Sequence, residues 1–367
     1  MSLPESVIAC ECWARDGLQS MPVFVSTDDK VEMLDRIGRS GFRKLEVTSF
    51  SNPKLLPQFA DATDVLKRIE RRPGVSYVIL MPNAKGFDRF EVCQKEGYGG
   101  DEIILMISSS EAHNQLNFRM THAEAMAEHA GIMRRAHALG VRIIGCAGTV
   151  YGCPVKGDIL TADVAKVVRF YVEEGAQAIM LGDTTGVANP RLVRERVGEL
   201  MAIFPGVEFI AHFHDTRGTG IVNSVAMLEL GARYVDCSIG AIGGQPATGA
   251  AKYSAGFTGN TCSEDLLAVL EEMGVGTGID IEQLIDAGRD AEEILGQRLR
   301  SNVIRSGPVI HGESSPQKEP GVAIAAPGDA GCDAVSVDPV SSRVNPRATR
   351  TPGPPCSRAG PAPSRPR

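Results

Sequence analysis

Arg15-Asp16, Glu46, His212-Phe213-His214 and Asn260 are residue types able to hold a divalent cation and steady an enolate. Two imidazoles, one carboxylate oxygen and one amide oxygen leave about two positions open in an octahedral shell. That suits magnesium, manganese or a similar ion better than closed tetrahedral zinc. Open positions let a hydroxyl and a carbonyl of a substrate chelate the ion, which then acts as a Lewis acid. Arg15 supplies a fixed cation for a developing enolate oxygen. Glu46 is an acid in the otherwise apolar run Leu45-Glu46-Val47, where a charge is costly unless paired, so it is placed to orient Arg15. The chemistry implied is making or breaking a carbon–carbon bond beside a carbonyl. Taken singly, each signal has an ordinary reading. His-x-His also ends structural strands, Arg15 also makes rim ion pairs, and a glutamate can be a paired structural layer.

Other polar groups follow strand-like runs. Asp183, in Leu181-Gly182-Asp183-Thr184, is placed to meet substrate or to support groups that do, or else to cap its turn. Ser108-Ser109-Ser110-Glu111, with His113 and Asn117, offers hydrogen bonds to an acyl or carboxylate group. Gly243-Gly244-Gln245-Pro246 reads as a lid hinge or an ordinary loop.

Only a fold that gathers many strand ends on one face can join these pieces. Eight short apolar runs read as strands: 7–12, 44–50, 75–82, 102–107, 141–146, 178–181, 207–212 and 234–239. Helical patterns lie between them, as at 27–41, 121–140 and 161–175, with apolar residues at three-to-four spacing. His212 and His214, two apart at a strand end, point to the same side. Alternating strand–helix units imply a parallel sheet with right-handed crossovers. Eight of them predict a closed (β/α)8 TIM barrel, an α/β fold, with its active face at the strand C-termini. The open doubly wound sheet expects a glycine-rich turn after its first strand, and Trp13-Ala14-Arg15-Asp16-Gly17 carries one glycine. Two further helices, 263–274 and 281–299, are expected to cover a barrel end or a subunit interface. Domain organisation reads as a barrel with C-terminal helices over 1–305, then a tail over 306–367. That tail holds 12 of the chain's 22 prolines and sustains neither period, so it is expected to be disordered.

The chain has 367 residues, 43% of them hydrophobic, enough for a large core. A net charge of −7 and a pI near 5.6 give no bulk attraction to nucleic acid or anionic membrane. Nine scattered cysteines, with Cys10-x-Cys12 the one tight pair, read as reduced thiols of a cytosolic protein rather than a zinc site. The first residues lack the pattern of a signal peptide, and no apolar run reaches the ~20 residues of a membrane span.

Over about residues 5–300 the chain resembles the hydroxymethylglutaryl-CoA lyase family, within the metal-dependent TIM-barrel lyases and condensing synthases. The resemblance rests on Arg15-Asp16-Gly17-Leu18-Gln19, Glu46-Val47-Thr48-Ser49-Phe50 with Pro53-Lys54, and Leu181-Gly182-Asp183-Thr184. It continues through His212-Phe213-His214-Asp215-Thr216, Gly243-Gly244, and Gly259-Asn260 with Glu264-Asp265-Leu266. It implies a divalent cation held by Asp16, His212, His214 and Asn260, with Arg15 on the enolate, Glu46 behind it and Asp183 nearby. It implies cleavage of a 3-hydroxy-3-methylglutaryl thioester to acetyl-CoA and acetoacetate, an acyl-CoA partner and a homodimer. Asp16 is one candidate for the base. Gln19, Ser110 and Asn117 are the substrate-side candidates.

Departures stand at the lid and beside the site. The family's lid cysteine is Gln245 here, and a glutamine amide transfers no proton near neutrality. Tyr253 and Cys262 are the groups in the longer lid that could substitute. Val155 stands where the lyases have a tyrosine, and Ser20-Met21 where they have Asn-Glu. These changes admit a different hydroxyacyl-CoA, a condensing synthase joining acetyl-CoA to a 2-oxoacid, or an acyl-CoA-binding relative without turnover. The Leu-Gln, Ser-Phe and Pro-Lys signature favours the lyase.

Overall fold

The computed structural model describes residues 2–244 and 258–311. Gln245, Tyr253 and the tail from 312 onward lie outside the described residues. Eight parallel strands close on themselves in sequence order. They are β1 Ile8–Glu11, β2 Lys44–Ser49, β3 Ser76–Leu80, β4 Glu102–Ser108, β5 Arg142–Gly148, β6 Ala178–Asp183, β7 Phe209–Phe213 and β8 Tyr234–Cys237. The barrel closes where Ile8 pairs with Tyr234 and Cys10 with Asp236. All eight expected strands are present, shifted at their ends by one or two residues.

Strand parity explains the near-continuous apolar runs, because both faces are buried. In β4, Ile103, Leu105 and Ile107 pack outward against helices, while Ile104 and Met106 point into the barrel. The interior layer continues with Val78, Ile144, Cys146, Met180 and Ile210. Below it, at the strand N-termini, Lys44 donates to Glu102 at 2.8 Å, and Ser76 Oγ donates to the other carboxylate oxygen at 2.6 Å. This buried pair closes the floor, so the open end of the barrel is the C-terminal one.

The connecting helices begin where capping residues allow. Ser26 caps Thr27–Arg39, and Thr121 with Glu124 forms a capping box on His122–Ala138. Gly140, just past that helix, has φ 70°, the left-handed geometry that ends it. Ser263–Glu272 and Ile281–Leu295 match the two expected extra helices, and the second packs against Thr27–Arg39. No helix among the described residues is long and apolar enough to cross a membrane.

Candidate active site

The turn after β1 is a single π-helical turn, Trp13–Gly17, wider than an α-turn and entirely buried. Glu11 holds it from outside the barrel. Its carboxylate accepts from the Trp13 and Ile239 amides at 3.0 and 2.9 Å and from Ser263 Oγ at 2.5 Å. Burial pushes the Glu11 carboxyl up to about 8. The turn aims Arg15 and Asp16 into the barrel mouth. There Arg15 Nε donates to Glu46 Oε1 at 2.5 Å and Nη1 donates to Asp16 Oδ1 at 2.8 Å. Glu46 is fully buried, as the acid in β2 requires, and its second oxygen has no hydrogen-bond partner.

Two strands along the barrel wall from β1, His212 lies within β7 and His214 follows it, bridged to Asn260. Each imidazole is fixed through Nδ1. His212 Nδ1 lies 3.0 Å from Asp236 Oδ2, and His214 Nδ1 lies 2.6 Å from the Thr258 carbonyl. A carbonyl oxygen only accepts, and an ionised carboxylate only accepts, so both Nδ1 atoms carry the proton. Both Nε2 atoms are then bare lone pairs in the neutral rings. They stand 3.2 Å apart, with Asp16 Oδ2 3.9 and 3.7 Å away.

Converging acceptors repel one another unless a cation lies between them, either a metal ion or the Nε2 proton of a charged His212 ring, which would donate to His214 Nε2 at 3.2 Å. Asp16, His212 and His214 can therefore hold a metal ion. Asp16, Glu46 and Asp236 sit in this contact network beside the Arg15 guanidinium, and burial raises the Glu46 carboxyl against that cation's pull. Burial pulls the His214 ring down to about 4, which leaves it a neutral ligand. Burial also works against His212, but Asp236 outweighs it and raises that ring. Burial opposes ionisation of Asp16, yet Arg15, the histidines and Asn260 hold it below the usual carboxylate range.

Asn260 was expected to offer an amide oxygen to the ion. Its Nδ2 instead donates to Asp16 Oδ2 at 2.8 Å and to the Ile242 carbonyl at 3.1 Å. In this orientation Asn260 positions Asp16, and an oxygen reaches an ion only with the amide turned over. The approach depends on Gly243. At φ 122°, a Cβ there would collide with Asn260 Nδ2 and crowd the Asp16 carbonyl. Gly244, at φ 112°, is similarly pressed against Thr258. The glycine pair is thus demanded by close chain packing at the site.

The cluster opens into a cavity of about 1090 Å³, with Arg15, Asp16, His212 and His214 on its wall beside Gln19 and Asn117. Much of the rest is apolar, including Leu80, Ile104, Met106 and Met180.

Residues 6–290 match the HMGL-like family. The chain belongs to this family. It is 36% identical over 301 residues to hydroxymethylglutaryl-CoA lyase of Bacillus subtilis (strain 168), covering 82% of this chain and 97% of that one. It is 32% identical over 305 residues to the mitochondrial hydroxymethylglutaryl-CoA lyase of Homo sapiens, covering 83% and 90% of the two chains. An HMG-CoA lyase from Acinetobacter baumannii, solved with coenzyme A and 3-methylmalate, shares the fold with a TM-score of 0.77. That pair is 33% identical and covers 86% of this chain and 100% of the other.

Several other candidates of this HMGL-like chain stand away from the cluster. Both Asp183 oxygens accept from backbone amides, Val187 at 2.9 Å and Ala188 at 3.1 Å, so the side chain holds the turn after β6. Burial pushes its carboxyl up to about 6. Ser110 caps the helix Glu111–Phe118 and is buried. The Cys262 thiol donates to Glu264 Oε2 at 3.0 Å at the start of Ser263–Glu272. None of the three lines the cavity, and neither does Val155. The residue that sequence reasoning missed is Asp236. Its signal was available, an acid in the apolar run Tyr234-Val235-Asp236-Cys237 on the same strand face as Tyr234, which packs inside the barrel.

Proposed function

We propose that this chain is a divalent-metal-dependent carbon–carbon lyase that cleaves 3-hydroxy-3-methylglutaryl-CoA to acetyl-CoA and acetoacetate. The observation that carries the reading is the convergence of Asp16 Oδ2 and the two histidine Nε2 atoms beside Arg15 in one cavity. Asp16, His212 and His214 are the proposed ligands of magnesium or manganese, with Asn260 positioning Asp16 or completing the shell. Such an ion supplies Lewis acidity to a chelating hydroxyl and carbonyl.

The chain's own groups do the rest. Arg15 is locked by Glu46 and Asp16, so its charge is fixed before substrate arrives. A preorganised cation stabilises an enolate oxygen at no reorganisation cost during bond breaking. Glu46 sets the guanidinium angle and does not touch the reacting atoms. Removal of the hydroxyl proton needs a base, and Asp16 is the carboxylate on the cavity wall. Asp16 cannot serve freely while Arg15 and Asn260 hold both its oxygens, so it acts as base only by giving up one contact. The acetyl enolate must then gain a proton. Gln245 is unable to supply it at the position where the family has a thiol.

The test is release of acetyl-CoA from a panel of 3-hydroxyacyl-CoA thioesters with magnesium or manganese, beside acetyl-CoA plus 2-oxoacids in the reverse sense. Turnover of the methylglutaryl thioester supports the proposal. Turnover confined to condensation, or to no thioester at all, rejects it.

A further inference from the structure

Cys10 lies in β1, where register places it opposite Asp236 on β8, and Cys12 lies just past the strand at the start of the turn Trp13–Gly17. One ligand atom from each of Cys10, Cys12 and Asp236 can be chosen so that all lie within 4.8 Å of one another, and all three residues are buried. Two thiols and a carboxylate at that spacing are the donors of a soft divalent cation, and they bring sulfur to ~2.3 Å and oxygen to ~2.0–2.2 Å from it by closing on one another by up to about 1 Å. Neither cysteine lines the cavity, and the proposed lyase chemistry uses neither.

The electrostatics permit such an ion. In the ion-free protein the Cys12 thiol is held well above its ordinary value, first by its hydrogen bond with Cys10 and then by burial. Both thiols are therefore protonated. Taking up one divalent ion releases two protons to solvent, so the buried charge is unchanged. Soft ligands select soft ions, because magnesium and manganese favour oxygen ligands over thiolate.

We propose that Cys10, Cys12 and Asp236 form a second cation site, thiophilic in character, directly beneath the histidine cluster. Asp236 belongs to both sites. Its Oδ2 lies 3.0 Å from His212 Nδ1. A cation drawing on this carboxylate weakens the acceptor that orients His212, so loading the lower site loosens ion binding at the upper one. Zinc and cadmium are then inhibitors that act through the lower site and not by replacing the upper ion.

Cadmium is the probe, because cadmium–thiolate bonds give an ultraviolet charge-transfer band that histidine and carboxylate ligation does not. The full chain, held in saturating magnesium, is titrated with cadmium chloride. The expected result is a band that saturates at one equivalent in the wild type and in C93S, and is lost in the C10S/C12S double variant. Loading should also raise the apparent manganese Kd at the upper site about tenfold or more, read by electron paramagnetic resonance. Absence of the band in the wild type overturns the proposal, whether or not the variants fold. So does a band that persists in C10S/C12S, or a manganese Kd untouched by cadmium. The titration requires no turnover, so it stands apart from the lyase assay. A chain that binds cadmium here yet cleaves no thioester would reject the lyase reading alone.

Discussion

Asp236→Asn isolates the group that aims His212. The bond is 3.0 Å long, joins two buried side chains and involves an ionised acceptor. Charge-assisted hydrogen bonds of this kind contribute roughly 1.5–3 kcal/mol. At about 1.4 kcal/mol per decade that is a ten- to hundred-fold effect, the range found when partners of metal-bound histidines are removed. Asparagine keeps the volume but offers a weaker, neutral acceptor, or turns its amide nitrogen toward the ring. A ring facing that nitrogen must move its proton to Nε2, where it blocks the metal. The variant should therefore bind manganese ten- to hundred-fold more weakly, measured by electron paramagnetic resonance. At saturating metal, kcat should recover most of its value, because Asp236 touches no substrate. A melting curve confirms the fold. Unchanged manganese affinity in a folded Asp236→Asn protein would refute the claim that Asp236 sets His212 for an ion.

Chelation with EDTA should abolish acetyl-CoA release, and magnesium or manganese should restore it; activity that survives exhaustive chelation contradicts the metal assignment. Gly243→Ala forces a left-handed alanine against Asn260 and should cost about 1–3 kcal/mol in urea unfolding. It should also weaken manganese binding, and a variant with wild-type affinity would show that Asn260 does not position Asp16. Lys44→Met removes the nearer, buried cation of Glu102 at the barrel floor and leaves only the more exposed Arg142 at 3.7 Å, a loss of up to about 3–5 kcal/mol by denaturant unfolding. In the wild type, burial pushes the Glu102 carboxyl up, but Lys44 and Ser76 prevail and hold it below its ordinary 4.5. That stability is present above the unfolded-state value and is lost as pH falls through the lower folded value, so unfolding from pH 6 to pH 3 should show the loss, and Lys44→Met should show a smaller one, with Ser76 and Arg142 still in place. Gln245→Cys should raise turnover of the methylglutaryl thioester if a thiol is the missing proton donor; no gain points to another acyl group.

Strand parity separates what the sequence made readable from what it did not. The apolar runs located all eight strands, because parallel strands buried on both faces leave a mark wherever they occur. His212 and His214 share the inward parity of Ile210, so their convergence followed from strand position alone. By the same rule Asp183 takes the second of its two readings and caps its turn. In β6, Ala178 and Met180 face inward and Ile179 and Leu181 outward, so Asp183 falls on the outer parity and meets loop amides. Ser110 and Cys262 sit past strand ends, where backbone turns compete with the cavity for polar side chains, and no periodicity chooses between them.

Asn260 shows a different limit. Its place beside Asp16 was readable, but which amide atom faces the carboxylate depends on Ile242 and Gly243, brought there by the turn after β8. Asp236 was within reach of parity and hidden only by distance, since its partner His212 lies in the neighbouring strand and 24 residues away. An acid on the inward face of an apolar barrel strand must find a cation or a donor. Glu46 finds Arg15, Glu102 finds Lys44 and Asp236 finds His212. Each inward acid of this barrel thus names a partner that does chemistry or closes the core. The site is built from these pairs, which is why breaking one at the mouth should alter metal affinity while breaking the one at the floor should alter stability.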